Sequence, residues 1–178
     1  MKLSGRNIKR RLYDLRNLPS NLKRARYFRG HGVHSPFVYA VVRQVFMRSR
    51  LFPEGATDLY YELLARGISQ RRAVQLQNLM THCGYTSFSI DADCGAEHDI
   101  VRCDMMIATK TVAPDYLKTM AACAAEMRST LCIMSPAADR RRDETCRDIV
   151  AAHGCTSIDN RGYLLIFNNY LPKQRFRL

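Results

Sequence analysis

Residues 104–135 read DMMIATKTVAPDYLKTMAACAAEMRSTLCIMS, a pattern typical of an α/β protein. Two short apolar runs, Asp104–Thr109 and Thr130–Ser135, predict buried strands. The intervening residues, Pro114–Arg128, have the apolar spacing of a helix. Strand, helix and strand in this order predict a right-handed crossover between neighbouring parallel strands.

The alternation continues on both sides of this unit. Ser69 begins a helix that Gly84 ends, and Asp139–His153 is a second helix. Further strands are predicted at Thr86–Asp91, Cys155–Asp159 and Tyr163–Asn168. The last two are joined by a hairpin turn and should add one antiparallel edge. The predicted fold class is α/β: an incomplete Rossmann-like, mostly parallel sheet with a C-terminal antiparallel hairpin and a helical N-terminal extension.

Charge divides the chain into two parts. Residues 1–50 carry thirteen Lys and Arg against one acid, Asp14, whereas residues 51–178 carry fifteen of each sign. Helices are predicted at 4–17 and 21–28, and Ser35-Pro36 starts another, Phe37–Arg48, whose apolar stripe should dock on the body. We therefore predict a basic helical extension, residues 1–50, and a Rossmann-like domain, residues 51–178.

The basic extension is the strongest functional feature of the sequence. The predicted nucleic-acid contacts are Lys9, Arg10, Arg11, Arg16, Lys23, Arg24, Arg26 and Arg29. Tyr13, Tyr27 and Phe28 lie among them, which suits phosphate contacts with base stacking, and RNA is the expected partner. An anionic membrane surface and a merely solvated arm are the alternatives.

The cysteine pattern favours reduced thiols in the cytoplasm. The chain has seven cysteines, an odd number, without a CxxC pair, and its first residues lack the apolar core of a secretory signal. An Arg-rich, acid-poor beginning also occurs in organellar transit peptides. Cys94, His98 and Cys103 match no common zinc spacing, so no metal site is predicted.

Three segments together carry a resemblance to a known family. These are residues 31–39 (HGVHSPFVY), the strand pair Thr156–Asp159 and Leu164–Phe167, and the tail Pro172–Phe176. With them the chain resembles bacterial class I S-adenosylmethionine-dependent methyltransferases, in particular an uncharacterised group with an HSPFV-type N-terminal segment. The resemblance implies S-adenosylmethionine as cofactor and methyl transfer as the reaction. It also implies that Thr109 and Lys110, at the far end of the second strand, line the active site.

The cofactor turn departs from that family's pattern. Where the family has an acid and two glycines after the first strand, this chain has Asp91-Ala92-Asp93-Cys94-Gly95, with one glycine. The resemblance implies cofactor contacts at Asp91, Asp93 and Gly95. Only residues 92–103 separate Asp91 from Asp104, so the strands and helices that would hold adenosine do not fit. We expect a methyltransferase-like protein with reduced or lost activity; the alternative is a non-catalytic RNA-binding module.

Two other basic features have a plainer interpretation. Lys110 follows a strand, where lysine is usually solvated. Arg140-Arg141-Arg142 is followed by Asp143-Glu144 at the start of a helix. We interpret this run as a solvated helix face with local charge pairing.

Overall fold

The computed structural model describes residues 34–92, 94, 102–169 and 171–178. The α-helices are α1 (Pro36–Ala40), α2 (Asp58–Ala65), α3 (Gln70–Cys83), α4 (Tyr116–Met127) and α5 (Arg140–Ala152). A π-helical segment, Val41–Phe46, continues α1. The strands are β1 (Phe88–Ile90), β2 (Met105–Ala108), β3 (Thr130–Met134), β4 (Thr156–Asp159), β5 (Tyr163–Phe167) and β6 (Arg175–Arg177). The helices predicted at 4–17 and 21–28 lie outside the described residues.

The predicted helix boundaries agree with the structure to within a few residues. Ser35 caps α1 by accepting from the Val38 N–H at 3.4 Å, and Pro36 takes the first helical position. Gly84 ends α3 in the left-handed conformation, with φ of 67°. Asp139 caps α5 by accepting from the Arg142 N–H at 2.9 Å.

The six strands form one mixed, mostly parallel sheet in the order β1-β2-β3-β5-β4-β6. Strands β1, β2 and β3 are adjacent and parallel, as predicted, and β4 and β6 also pair in parallel. Among the described strands, only β5 runs antiparallel to its neighbours. The α/β class and the hairpin are confirmed.

The expectation that the hairpin adds an antiparallel edge is wrong. Strand β5 lies inside the sheet, between β3 and β4, and all five of its residues are buried. Leu164 and Ile166 face one core, whereas Leu165 and Phe167 face the other. A continuous apolar run of this kind is typical of a strand covered on both faces. The edge is instead β6, whose sequence Arg-Phe-Arg has too short an apolar signal to predict a strand.

Helices cover both faces of the sheet. Segment α1 to α3 packs on one face, around residues such as Ile107, Cys132 and Leu165. Helices α4 and α5 pack on the other, around Met106, Leu131 and Ile133. The result is a three-layer arrangement. Among the described helices, none combines the length and the apolar character needed to cross a membrane.

The helix that begins at Pro36 belongs to the first of these cores. Val38, Val41, Val42 and Val45 are fully buried. Phe46 packs edge-to-face on Tyr163 of β5, with ring centroids 5.8 Å apart. The predicted docking of this helix is therefore observed, although the domain boundary at residue 50 stays a prediction.

Three buried side-chain amides of α3 form hydrogen bonds with the backbone between residues 46 and 60. Gln75 donates to the Phe46 carbonyl at 2.8 Å and accepts from the Tyr163 hydroxyl at 3.1 Å. Asn78 accepts from the Phe52 N–H and donates to the Arg50 carbonyl, both at 2.9 Å. The third, Gln77, accepts from a backbone N–H of α2 at 3.0 Å. Buried polar side chains are tolerated here because each one satisfies backbone groups between residues 46 and 60.

Candidate functional site

The carboxyl ends of β1, β2 and β3 meet at one edge of the sheet, because the three strands are parallel. Open α/β sheets bind their ligands outside this edge. The residues that follow the strands are Asp91, Thr109 and Ser135, and Thr111 lies beside them. We call these four residues the carboxyl edge.

Asp91 directs its carboxylate along the carboxyl edge to the neighbouring strand. It accepts from the Thr109 N–H at 2.6 Å and from the Thr109 hydroxyl at 2.7 Å. The Thr111 hydroxyl donates at 3.3 Å, and an Arg66 nitrogen lies 3.8 Å away. A carboxylate has about four acceptor positions. Most of those of Asp91 are therefore filled from within the chain.

The backbone conformation at Asp91 directs the carboxylate toward Thr109. Its φ of 54° is in the left-handed region, which is uncommon for a residue other than glycine. Its N–H donates to the Ile107 carbonyl at 2.8 Å and so extends the β1–β2 pairing by one residue. The turn aims the carboxylate at Thr109.

Ser135 ends β3 in a second left-handed turn, with φ of 49°. Its N–H donates to the Gly162 carbonyl at 2.8 Å, and its hydroxyl accepts from Arg72 at 3.4 Å. A Cβ atom at Gly162 would lie 2.9 Å from the Arg72 Nε, so a side chain there would have to shift the Arg72 guanidinium. The hairpin turn and α3 thus meet over the end of β3.

Among the residues near this edge, Arg142 differs most from its predicted environment. The interpretation of residues 140–142 as solvated is wrong for Arg142, which is 2% exposed. Its guanidinium donates to the carbonyls of Thr109 at 2.8 Å, Val112 at 2.7 Å and Met134 at 3.1 Å. Burial lowers its pKa from the ordinary arginine value. The side chain ties the ends of β2 and β3 to α5.

A signal for this burial was present in the sequence. Arg142, Cys146 and Ile149 follow the spacing of one helix face, and all three are buried. Arg140 and Arg141 lie on the exposed side and pair with Glu144 and Asp115, as the solvated interpretation requires. At position 142 the helical periodicity predicts burial and the charge predicts exposure, and the structure agrees with the periodicity.

Asp104 makes a matching arrangement at the opposite end of β1 and β2. One of its oxygens accepts from the Thr86 and Ser87 N–H groups at 2.8 and 3.0 Å. The same oxygen accepts from the two hydroxyls, at 3.1 and 3.0 Å. Led by the Thr86 N–H, these hydrogen bonds hold the pKa of the Asp104 carboxyl below its usual value. Asp104 and Asp91 therefore clamp the two ends of the β1–β2 pair.

The other predicted site residues fall into two groups. Asp93, Gly95 and the eight basic residues of the arm, from Lys9 to Arg29, lie outside the described residues. Lys110 is exposed beside the carboxyl edge. Within the described part of the chain, no cluster of His, Cys, Asp or Glu side chains could hold a metal ion.

The carboxyl edge thus offers three hydroxyl groups, and donors from within the chain already fill most of the acceptor positions of its one carboxylate, Asp91. No known protein family, curated protein or solved structure matches the chain.

Proposed function

We propose that this chain is a methyltransferase-like α/β protein in which binding of S-adenosylmethionine is weak or lost. The hydrogen bonding of Asp91 carries the proposal. A ligand donor at this carboxylate competes with Thr109 and Thr111 for its acceptor positions. A hydrogen bond to a charged group is worth about 1.5–3 kcal/mol, so displacing one of these donors removes most of what the new contact supplies.

The short connection between β1 and β2 supports the same proposal. Residues 92–103 are twelve in number, and one crossover with its helix needs about 10–12 residues. Among the described strands, β1 pairs with β2 alone. Additional strands to support an adenosine moiety have no place in this connection.

Calorimetric titration of the full chain with S-adenosylmethionine and S-adenosylhomocysteine tests the proposal. The expected result is heat of dilution only. Saturable micromolar binding to the unaltered chain that disappears in Asp91→Ala, but persists in the surface control Asp148→Ala, would overturn it. Asp148 is a suitable control because it is an exposed residue in an ion pair with Lys118.

The charge distribution favours a second candidate function, a non-catalytic RNA-binding module. The whole excess of positive charge lies in residues 1–50. If this arm neutralises phosphates, affinity falls with salt, with a log–log slope of about −0.7 per phosphate on a single strand. Replacing Lys9, Arg10 and Arg11 together by Gln should make the slope shallower by about 2 units.

Anisotropy titrations of a labelled single-stranded RNA across a salt series measure that slope. An unchanged slope in the triple variant removes these residues from the interface. Binding to vesicles that contain anionic lipid, without binding to RNA, identifies the partner as a membrane surface instead.

A further inference from the structure

The outer side of the helix that begins at Pro36 carries a row of exposed side chains. Tyr39, Arg43 and Met47 follow one another at intervals of four, and an Arg43 nitrogen lies 3.6 Å from the Met47 sulfur. Tyr39 is 47% exposed and Met47 is 42% exposed, large values for side chains with so much apolar surface. Arg48 and Arg50, which follow, are exposed as well. We call these five residues the Tyr39 face.

Arg48 is held in an orientation suited to stacking. Its guanidinium carbon lies 4.7 Å from the centre of the Phe52 ring. This cation–π contact orders a flat cation at an exposed position. Unstacked bases pack on tyrosine rings and on guanidinium planes alike, so Tyr39 and Arg48 offer two exposed platforms.

The segment of chain that carries the Tyr39 face has charge of one sign. The sequence contains no Asp or Glu between residues 15 and 53. Within the described residues, Arg43, Arg48 and Arg50 form no ion pair with a carboxylate. Three exposed guanidinium groups that form no ion pair with a described carboxylate complement a phosphate backbone.

The opposite side of the same helix argues against a membrane as the partner. Val38, Val41, Val42 and Val45 are fully buried against the sheet. An interfacial helix must insert its apolar face into the lipid. Here that face belongs to the core and is not available.

We propose that the Tyr39 face binds single-stranded RNA, in addition to the contacts predicted for the basic residues between Lys9 and Arg29. The inference rests on the RNA-binding candidate above. Arg43, Arg48 and Arg50 supply the positive charge that neutralises phosphates, and bases stack on the Tyr39 ring and on the Arg48 guanidinium plane. Duplex RNA binds less well, because its bases are not free to stack.

The test uses the full chain and a fluorescein-labelled single-stranded oligo(U) of about 16 nucleotides. Replacing Arg43, Arg48 and Arg50 by Gln should make the log–log salt slope shallower by about 2 units. The matched control replaces Lys118, Arg140 and Arg147 by Gln, since these exposed residues lie on α4 and α5, on the other face of the sheet. The control should keep the slope of the unaltered chain.

Stacking is tested separately at the tyrosines. Tyr39→Ala should weaken binding about five- to hundredfold, and Tyr39→Phe should restore it. Tyr61→Ala is the control, because Tyr61 is 64% exposed but lies on α2 between Asp58 and Glu62. Circular dichroism confirms that each variant is folded.

The outcomes separate this inference from the candidate on which it rests. Equal slopes for the Tyr39-face and control triples, with RNA still bound through the arm, overturn the inference alone. Equal affinities of Tyr39→Ala and Tyr61→Ala remove stacking and overturn it too. No binding of RNA by the unaltered chain overturns both the inference and the RNA-binding candidate.

Discussion

Asp91 and Asp104 lie at opposite ends of the β1–β2 pair, and each uses its carboxylate to hold the neighbouring strand. Strand β1 has three residues, and all of them are half-buried. A strand this short gains little from its ladder, so the two acids supply much of what keeps it in place. A strand-end acid therefore need not be a ligand contact.

The clamp at Asp91 predicts a measurable coupling with Thr109. Asp91→Ala should lower the free energy of unfolding by about 1–2 kcal/mol, because a partly exposed carboxylate loses several donors. In a double-mutant cycle with Thr109→Val, the coupling energy should be about 1 kcal/mol. The exposed pair Asp115–Arg141 is the control and should give less than about 0.5 kcal/mol. Additive effects at Asp91 and Thr109 contradict the clamp.

Asp104 should make stability depend on acid pH. Its folded-state pKa is lower than its unfolded value, so its contribution is present above about pH 4 and is lost as the pH falls through the folded pKa. Asp104→Asn should cost about 1 kcal/mol at pH 7 and progressively less below about pH 4. Urea unfolding at pH 7 and below about pH 4 measures the free energy of unfolding of both proteins. If the effect of Asp104→Asn is the same at the two pH values, the charge of Asp104 is not involved.

Individual elements show which structural features a local sequence pattern can predict and which it cannot. Ser35-Pro36 and Gly84 act through local backbone chemistry, so the ends that they set could be predicted. Strand β6 and the inner position of β5 depend on pairing between distant segments, which no local pattern encodes. Arg142 lay between the two cases, because its charge concealed its place on a buried helix face.

Helix α3 illustrates the limit most clearly. Its apolar residues Leu76, Leu79 and Met80 predict a core face, and they are buried. The amides of Gln75, Gln77 and Asn78 are also buried, and the backbone groups that they satisfy lie 17 to 29 residues earlier in the sequence. Nothing in the sequence of α3 indicates those partners.

Asn78 should therefore be more important than its polarity suggests. Asn78→Leu, similar in volume, leaves the Phe52 N–H and the Arg50 carbonyl without their partner and should cost about 1–3 kcal/mol. Hydrogen exchange at the Phe52 amide should accelerate, because this N–H loses its acceptor. Gln174→Leu, at an exposed position, is the control. Unchanged protection at Phe52 would contradict the role given to Asn78.

At the scale of the whole molecule, the chain combines a charge-balanced α/β body with a strongly basic beginning. Residues 51–178 carry equal numbers of positive and negative side chains, and the excess of positive charge lies in residues 1–50. The α/β class, the parallel β1–β2–β3 unit and the docked helix could be predicted. The hydrogen bonds that Asp91 and Arg142 form at the carboxyl ends of the strands could not be predicted, because they depend on side-chain directions that only the folded chain defines.

We propose that S-adenosylmethionine binds weakly or not at all at the carboxyl edge, where donors from within the chain fill most acceptor positions of Asp91. Two-dimensional NMR of the isotope-labelled full chain, titrated with this cofactor, tests it residue by residue. The amide resonances of Ile107, Thr109 and Ser135 should keep their positions throughout the titration. Saturable shifts centred on these amides in the unaltered chain, and absent in Asp91→Asn, would contradict the claim.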